Sequence, residues 1–266
     1  MFRRFGANVT VIERGARLLP REDEDVSDAV RKILEDEGIV VRCGAECIAF
    51  EKRADGPAAT LDCQDGAPSV TGSHVLLATG RKPNTGDLGL ERAGIATDER
   101  DFIVVDDELQ TNVLGIYALG DCNGRGAFTH TAYNDFEIVA ANLLDGETRR
   151  LSQRVTGYAL YIDPPLARVG MTETEARHSG REILVSKRPM TRVGRAVEKS
   201  ETAGFMKVVA DAGTQRILGA TILGTAGDEA IHGIVDAMSA DTPYSELRWA
   251  VPIHPTVSEL IPTLLL

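Results

Sequence analysis

The order of apolar runs along the chain constrains its fold more than any other feature. Short runs rich in β-branched residues end at a glycine or an acid, and amphipathic stretches separate several of them. The first run, "NVTVIE" (8–13), is typical of a buried strand. The next stretch, 21–39, carries apolar residues such as Val26 and Val30 at helical spacing. Acids crowd its first turn, and Gly38 is placed to end the helix. The low aromatic content of 5% and the 26 glycines suit an α/β architecture with many tight turns.

Further runs extend the same pattern along the chain. "HVLLATGRKPN" (74–84) predicts a buried strand that leads into a glycine turn, and 102–121 predicts two short strands. A helix is expected from about Thr129 to Leu144. "GFMKVVAD" (204–211) and "ILGATILG" (217–224) predict consecutive strands. Upstream of these two strands, "MTETEARHSG" (171–180) has the Thr and Glu spacing of a capping box at the start of a helix.

Composition narrows the possible partners and compartments. The 266 residues are 43% hydrophobic, which is enough for about two domains with real cores. A net charge of -11 argues against nucleic acid or an anionic membrane as a partner. No run approaches the ~20 apolar residues of a membrane span, and the start does not match a signal peptide. The four cysteines are too few and too irregular for a disulfide scaffold and favour a reducing cytoplasm.

An acid ends the first predicted strand. In dinucleotide-binding βαβ units, an acid at the end of the second strand accepts hydrogen bonds from the adenine ribose hydroxyls, which is a possible role for Glu13. The alternative is an ordinary solvated glutamate. The G-x-G-x-x-G loop expected about 20 residues upstream does not fit between Met1 and Glu13, so both interpretations stay open.

A second acid, Asp121, follows Gly120 at the end of a predicted strand. Ligands of open α/β sheets bind at that edge, where a carboxylate can accept hydrogen bonds from sugar or ribityl hydroxyls. The predicted helix starting near Thr129 and His130 offers backbone N–H groups to a phosphate or to an electron-rich ring oxygen. The alternative role for Asp121 is to cap a turn between strand and helix.

Six stretches together resemble one known family. In the family's order, they are "VTVIERGARLLPREDED" (9–25), "LLATGRKPN" (76–84), "LQTNVLGIYALGD" (109–121), "DPPLARVGMTE" (163–173), "GFMKVV" (204–209) and "HPTVSE" (254–259). The chain resembles the C-terminal three-fifths or so of the class I pyridine nucleotide–disulfide oxidoreductases. These FAD flavoproteins include dihydrolipoamide dehydrogenase, glutathione reductase and mercuric reductase.

The resemblance implies the fold class and the domain organisation. We expect α/β plus α+β structure, in which an incomplete NAD/FAD nucleotide-binding (Rossmann-like) portion precedes an α+β dimerisation domain. Residues 1–84 are expected to be a partial NAD(P)-binding domain, 85–150 the returning segment of the FAD-binding domain, and 151–266 the C-terminal interface domain. The family's FAD-binding glycine loop and its C-x-x-x-x-C redox pair are expected upstream, and the sequence contains neither.

The resemblance also assigns candidate NAD(P)H contacts. It places Glu13 at the adenine ribose of the nicotinamide cofactor and thereby favours NADH. Arg14 and Arg17 leave NADPH open, because an arginine can accommodate a 2′-phosphate.

Candidate FAD contacts come from the middle of the chain. By the resemblance, Gly80 and Arg81 lie at the cofactor interface and Asp121 holds the ribityl chain of FAD. Thr129 and His130 begin a helix aimed at the pyrimidine end of the flavin. No metal site is expected.

The resemblance gives "HPTVSE" a catalytic role. It implies that His254 acts as an acid–base on the thiols of the partner subunit of a homodimer, oriented by Glu259. An unperturbed histidine titrates near ~6.5, which suits proton transfer at neutral pH. Without the family, a lone H-P-x-x-x-E pattern is more typical of a structural loop.

The implied reaction passes electrons from NAD(P)H to FAD, then to a cysteine pair, then to a small disulfide, dithiol or metal-ion substrate. Cys43 and Cys47 are one residue too close to be that pair and are expected to be packing residues. Mercuric reductases commonly have a C-terminal cysteine pair, and no cysteine follows Cys122, which weakens the mercury interpretation. The chain alone is expected to be inactive. The alternative function is a non-catalytic dimerisation or interaction fragment.

Overall fold

The computed structural model describes residues 1–45, 48–61 and 68–264. These residues form two compact units, one of Met1–Val75 with Val155–Leu266 and the other of Leu76–Arg154. Cys47 and Cys63 lie outside the described residues. The three-segment division predicted from the sequence stays a prediction.

The secondary structure elements are numbered in chain order. The strands are β1 (Thr10–Ile12), β2 (Val40–Arg42), β3 (Ile48–Arg53), β4 (Gly56–Leu61), β5 (Ser69–Thr71), β6 (Gly157–Leu160), β7 (Leu166–Gly170), β8 (Ile183–Pro189), β9 (Phe205–Asp211) and β10 (Ile217–Leu223). The helices are α1 (Glu24–Asp36), α2 (Thr129–Leu144), α3 (Glu173–His178), α4 (Gly194–Glu198), α5 (Gly227–Ala230), α6 (His232–Ser239), α7 (Tyr244–Leu247) and α8 (Ile261–Leu264). All belong to the first unit except α2.

The described residues of the first unit form three sheets. β1 pairs with β2 in parallel, and β3, β4 and β5 form an antiparallel meander. The largest sheet is antiparallel, in the order β6-β7-β10-β9-β8. Its inner face contributes Val169, Met206 and Ile222, each at most 1% exposed, to a core that α6 and α8 complete with Ile234 and Leu264. The predicted strands at 204–211 and 217–224 are therefore confirmed as neighbours in this sheet.

Helix α1 is amphipathic, as its sequence predicts. Val26 and Val30 are buried and pack in one cluster with Leu166, Phe205 and Leu223 of the five-stranded sheet. Burying one such valine contributes about 1.5–3 kcal/mol. The first 45 residues and the C-terminal sheet therefore share a hydrophobic core.

Turn signals at two helix ends are also confirmed. Gly38 follows α1 with φ of 79°, and its N–H donates to the Glu35 carbonyl. At the start of α3, the Glu175 N–H donates to Thr172 Oγ1 at 3.0 Å, and the Thr172 N–H donates to Glu175 Oε2 at 2.8 Å. This is the predicted capping box.

The prediction of a strand at 74–84 is wrong. Residues 74–83 have no regular structure, and the side chains of Leu76 and Leu77 are 84% and 64% exposed. A strand needs a ladder partner for its backbone groups. Within the described ranges, β1 and β2 pair only with each other, so nothing in their sheet pairs with this apolar run.

The second unit contains isolated bridges where two short strands were predicted. Single bridges join Val105 to Thr111 and Gln110 to Tyr117. Asp106 Oδ1 accepts from the N–H groups of Glu108 and Gln110, each at 2.9 Å. This aspartate turn reverses the chain between the two bridged segments, which are left with single bridges in place of a ladder. The predicted helix over Thr129–Leu144 is confirmed as α2.

No helix among the residues that the structure describes is long and apolar enough to cross a membrane.

Candidate functional site

The histidine and the glutamate of "HPTVSE" form a hydrogen-bonded pair. His254 Nδ1 lies 2.8 Å from Glu259 Oε2. The imidazole is 77% exposed, whereas the Glu259 side chain is only 19% exposed. Because a carboxylate only accepts, the Nδ1 position carries the proton and Nε2 is directed to exchange a proton with an external group. Glu259 therefore fixes both the tautomer and the orientation of His254.

The loop that carries this pair is fixed by the hydroxyl of Thr256 and by two residues that pack into the hydrophobic core. Thr256 Oγ1 donates to the Ile253 carbonyl at 2.7 Å, and the Thr256 N–H lies 3.4 Å from Glu259 Oε2. Val257 and Ile261, each 7% exposed, pack into the core of the five-stranded sheet. The imidazole is thus exposed, whereas the residues that anchor its loop are buried.

Asp121 lies in a tight turn organised by a buried carboxylate. The turn spans Gly120–Asn123, and Gly120 has φ of 77°. Asp135 on α2, which is 2% exposed, accepts from the Gly120 N–H and from Asn123 Nδ2, both at 2.8 Å. Arg154 pairs with the other Asp135 oxygen. The Asp121 side chain itself is 55% exposed. Sequence reasoning missed Asp135, and no local pattern marks it.

Arg81 and Asp121 are brought together by the second unit. Arg81 Nη1 lies 3.4 Å from Asp121 Oδ2, and both side chains are exposed. Gly80, the preceding residue, has φ of 113°, a conformation that favours glycine. The structure therefore places two predicted cofactor residues in contact and a third beside them.

Thr129 and His130 are the first two residues of α2, as the sequence predicts. The His130 ring stacks on the Phe128 ring with centroids 5.2 Å apart. Thr131 Oγ1 accepts from the N–H of Phe128, the residue before the helix, at 3.2 Å, as the third helical residue does in a capping box. A helix of this length presents the positive end of its dipole at Thr129.

Glu13 directly follows β1, where it stabilises a turn. Its Oε1 accepts from the Gly15 N–H at 2.7 Å, and its backbone N–H donates to the Arg42 carbonyl at 2.8 Å. Arg17 Nη2 donates to the Glu22 carbonyl at 3.1 Å, so this arginine is tied to the following turn. One carboxylate oxygen of Glu13 thus has a structural role, and its role towards a ribose stays a prediction.

The two described cysteines are packing residues in structural terms. Cys43 packs against the α1 cluster, and Cys122 packs against the core of the second unit, with its Sγ donating to the Leu119 carbonyl at 3.3 Å. Burial raises the pKa of both thiols, which disfavours the reactive thiolate. Within the described ranges, no group of His, Cys, Asp and Glu side chains is arranged to hold a metal ion.

Comparison with known proteins identifies the family. The family model described as pyridine nucleotide-disulphide oxidoreductase matches residues 1–135, and the dimerisation domain of the same family matches 156–265. The chain belongs to the pyridine nucleotide-disulphide oxidoreductase family. It accordingly has a Rossmann-like portion followed by an α+β dimerisation domain, as the sequence predicts.

Individual relatives support this membership. The chain is 38% identical over 263 residues to the probable pyridine nucleotide-disulfide oxidoreductase RclA of Escherichia coli, covering 97% of this chain and 58% of RclA. It is 35% identical to the dihydrolipoyl dehydrogenase of Thermus scotoductus, covering 97% of this chain and 56% of that enzyme. A solved structure of RclA, a flavoprotein disulfide reductase, superimposes with a TM-score of 0.90 at 36% identity, covering 99% of this chain and 60% of that one. The chain thus spans somewhat more than half the length of the relatives it matches.

Proposed function

We propose that this chain forms the acid–base and dimerisation part of an FAD-dependent NAD(P)H:disulfide oxidoreductase. The observation that carries the proposal is the 2.8 Å contact between His254 Nδ1 and Glu259 Oε2 on a loop whose base is buried. A histidine held in one tautomer by a carboxylate, with its second nitrogen exposed, is equipped for proton transfer. Family membership supplies the reaction class.

In this proposal, His254 Nε2 accepts a proton from a thiol as the thiolate forms. The imidazolium is stabilised by the Glu259 carboxylate, and its proton returns to the leaving thiolate when the substrate disulfide opens. The reacting thiols come from outside the residues that carry this pair, because none of the four cysteines forms a C-x-x-x-x-C motif. An imidazole exposed on the surface of one subunit suits proton transfer to and from thiols of a second subunit.

The residues of the second unit fit one end of FAD. Asp121 could accept from ribityl hydroxyls, and the N-terminus of α2 at Thr129 could face the electron-rich end of the ring. The pyrophosphate lacks a counterpart, because the sequence contains no G-x-G-x-x-G loop. When bound, FAD supplies the relay of electrons between a nicotinamide and a disulfide.

The nicotinamide cofactor is proposed to contact the first unit. Glu13 lies at the end of β1, where an acid can accept from ribose hydroxyls, and this favours NADH. Arg17 is engaged with the Glu22 carbonyl, which lowers its availability for a 2′-phosphate.

The proposed substrate is a small disulfide, dithiol or metal ion. The proposed state is a cytoplasmic homodimer.

The second candidate is a dimerisation module without catalysis. It is favoured by the lack of a C-x-x-x-x-C motif and of a G-x-G-x-x-G loop in the 266 residues. Both candidates share the dimerisation domain, so self-association does not separate them.

A chimera separates the two candidates. The segment of E. coli RclA that this chain does not match would be joined to the 266 residues, and the product tested for bound flavin and for NADH-dependent disulfide reduction. We expect the chimera to be yellow and active, and the 266-residue chain alone to be colourless and inactive. A folded, flavin-loaded chimera that reduces no disulfide would support the non-catalytic candidate.

A further inference from the structure

Gly194, the first residue of α4, lies against the carboxylate of Glu259. A Cβ built on Gly194 would be 3.2 Å from Glu259 Oε1, which is tighter than most Cβ contacts in proteins. The backbone does not require glycine here, because Gly194 is not among the residues with positive φ. In a helix, alanine is preferred to glycine by intrinsic propensity. What glycine provides at this position is therefore space for the carboxylate.

The carboxylate has little freedom to move away from that position. Its other oxygen, Oε2, is held by His254 at 2.8 Å and faces the Thr256 N–H at 3.4 Å. The side chain is 19% exposed, and Val257 and Ile261 on either side of it are buried. A side chain at position 194 would press on Oε1 and would displace Oε2 from the imidazole.

We propose that Gly194 is a positioning residue for the His254–Glu259 pair. It leaves room for the observed placement of the carboxylate, which holds the imidazole as its Nδ1–H tautomer. This inference rests on the proposed function for its catalytic meaning, but its structural content is independent of turnover. Its proposed effect passes through Glu259, whose Oε1 is the atom that a Cβ at position 194 would meet.

The test is the tautomer of His254 in the 266-residue chain, measured by ¹⁵N NMR of the imidazole at a pH high enough for the ring to be neutral. The His254 signals are assigned by their loss in His254→Gln. We expect the Nδ1–H form to dominate in the parent. Gly194→Ala should shift the tautomer ratio towards Nε2–H by roughly tenfold, because a hydrogen bond to a charged group is weakened. Gly194→Val should shift it further.

The matched control is Gly233→Ala. Gly233 also lies in a helix without positive φ, and a Cβ there would meet nothing within 4 Å. It should leave the His254 signals unchanged. If Gly194→Val does not fold, the folded Gly194→Ala variant decides alone. A folded Gly194→Ala with the parent's tautomer ratio overturns the inference.

Turnover in the RclA chimera distinguishes this inference from the proposed function. A shifted tautomer with unchanged thiol chemistry would uphold the positioning role and count against His254 as the acid–base. An unshifted tautomer overturns the positioning role whatever the turnover.

Discussion

Lys207 Nζ lies 2.8 Å from Asp23 Oδ2, although the two residues are 184 positions apart in the sequence. Both side chains are buried, at 2% and 7% exposure. Asp23 also accepts from the N–H groups of Glu173 and Thr174, at 2.9 and 3.0 Å, and so caps α3. One carboxylate therefore connects the start of α1, the start of α3 and the middle of β9.

Removing Lys207 should strongly destabilise the first unit. Lys207→Met leaves the buried Asp23 carboxylate without its cation, a change that typically costs about 3–5 kcal/mol of unfolding free energy. The measurement is urea unfolding followed by circular dichroism. The control is Lys32→Met, because the pair of Lys32 with Asp36 is exposed and contributes about 0.3–0.5 kcal/mol. Equal losses in the two variants would contradict the structural role of Lys207.

Acid should weaken the fold through Asp23. Burial alone raises the pKa of Asp23, but hydrogen bonds from Lys207 and Thr174 outweigh it and lower the pKa from 3.8 to about 2. The pKa of Asp23 is lower in the folded state than in the unfolded state. Asp23 therefore stabilises the fold above pH 3.8, and this contribution is lost as the pH falls towards 2. The contribution is roughly 2 kcal/mol.

The acid dependence can be assigned with one variant. Asp23→Asn should be less stable than the parent at neutral pH, and its urea midpoint should fall less steeply between these two pH values. Parallel midpoints for parent and variant across that range would show that other carboxylates cause the acid sensitivity.

The chain should self-associate through its first unit. Trp249, Val251 and Ile253, just before His254, are 78%, 93% and 79% exposed, and an obligate interface usually buries ~2,000 Å² or more. We expect sedimentation velocity to show a dimer at micromolar concentration and Val251→Asp to shift it towards monomer. Leu114→Asp, at an 89% exposed position of the second unit, should leave the dimer intact. A folded parent monomer at that concentration would refute the prediction.

Elements with local signals could be predicted from the sequence. The apolar spacing of α1, the capping box of Thr172 and Glu175 and the runs of β9 and β10 all encode their structure within a few residues. The run at 74–84 failed because an apolar run states a preference for strand but does not supply a ladder partner. The run at 102–121 failed because aspartate turns compete with ladder pairing.

The residues of the candidate site likewise divide into those that the sequence predicts and those that depend on tertiary contacts. The family resemblance pairs His254 with Glu259, and His254 Nδ1 lies within hydrogen-bond distance of Glu259 Oε2. Gly194 and Asp135 were not predicted, because each contacts residues outside its own helix, Glu259 in the first case and Gly120 and Asn123 in the second. Tertiary contacts of this kind leave no periodicity or spacing in one sequence.

The most direct test of the account is stopped-flow kinetics of His254→Gln in the RclA chimera, with flavin reduction by NADH and the thiol half-reaction measured separately. We expect the thiol half-reaction to slow by about 10²–10⁴-fold, since general acid–base groups contribute that much, while flavin reduction stays near the parent rate. Glu259→Gln should slow the same half-reaction less, and His178→Gln, an exposed histidine at the end of α3, should change neither. Equal slowing of both half-reactions by His254→Gln, or no change in either, would contradict the assignment of His254 as the acid–base.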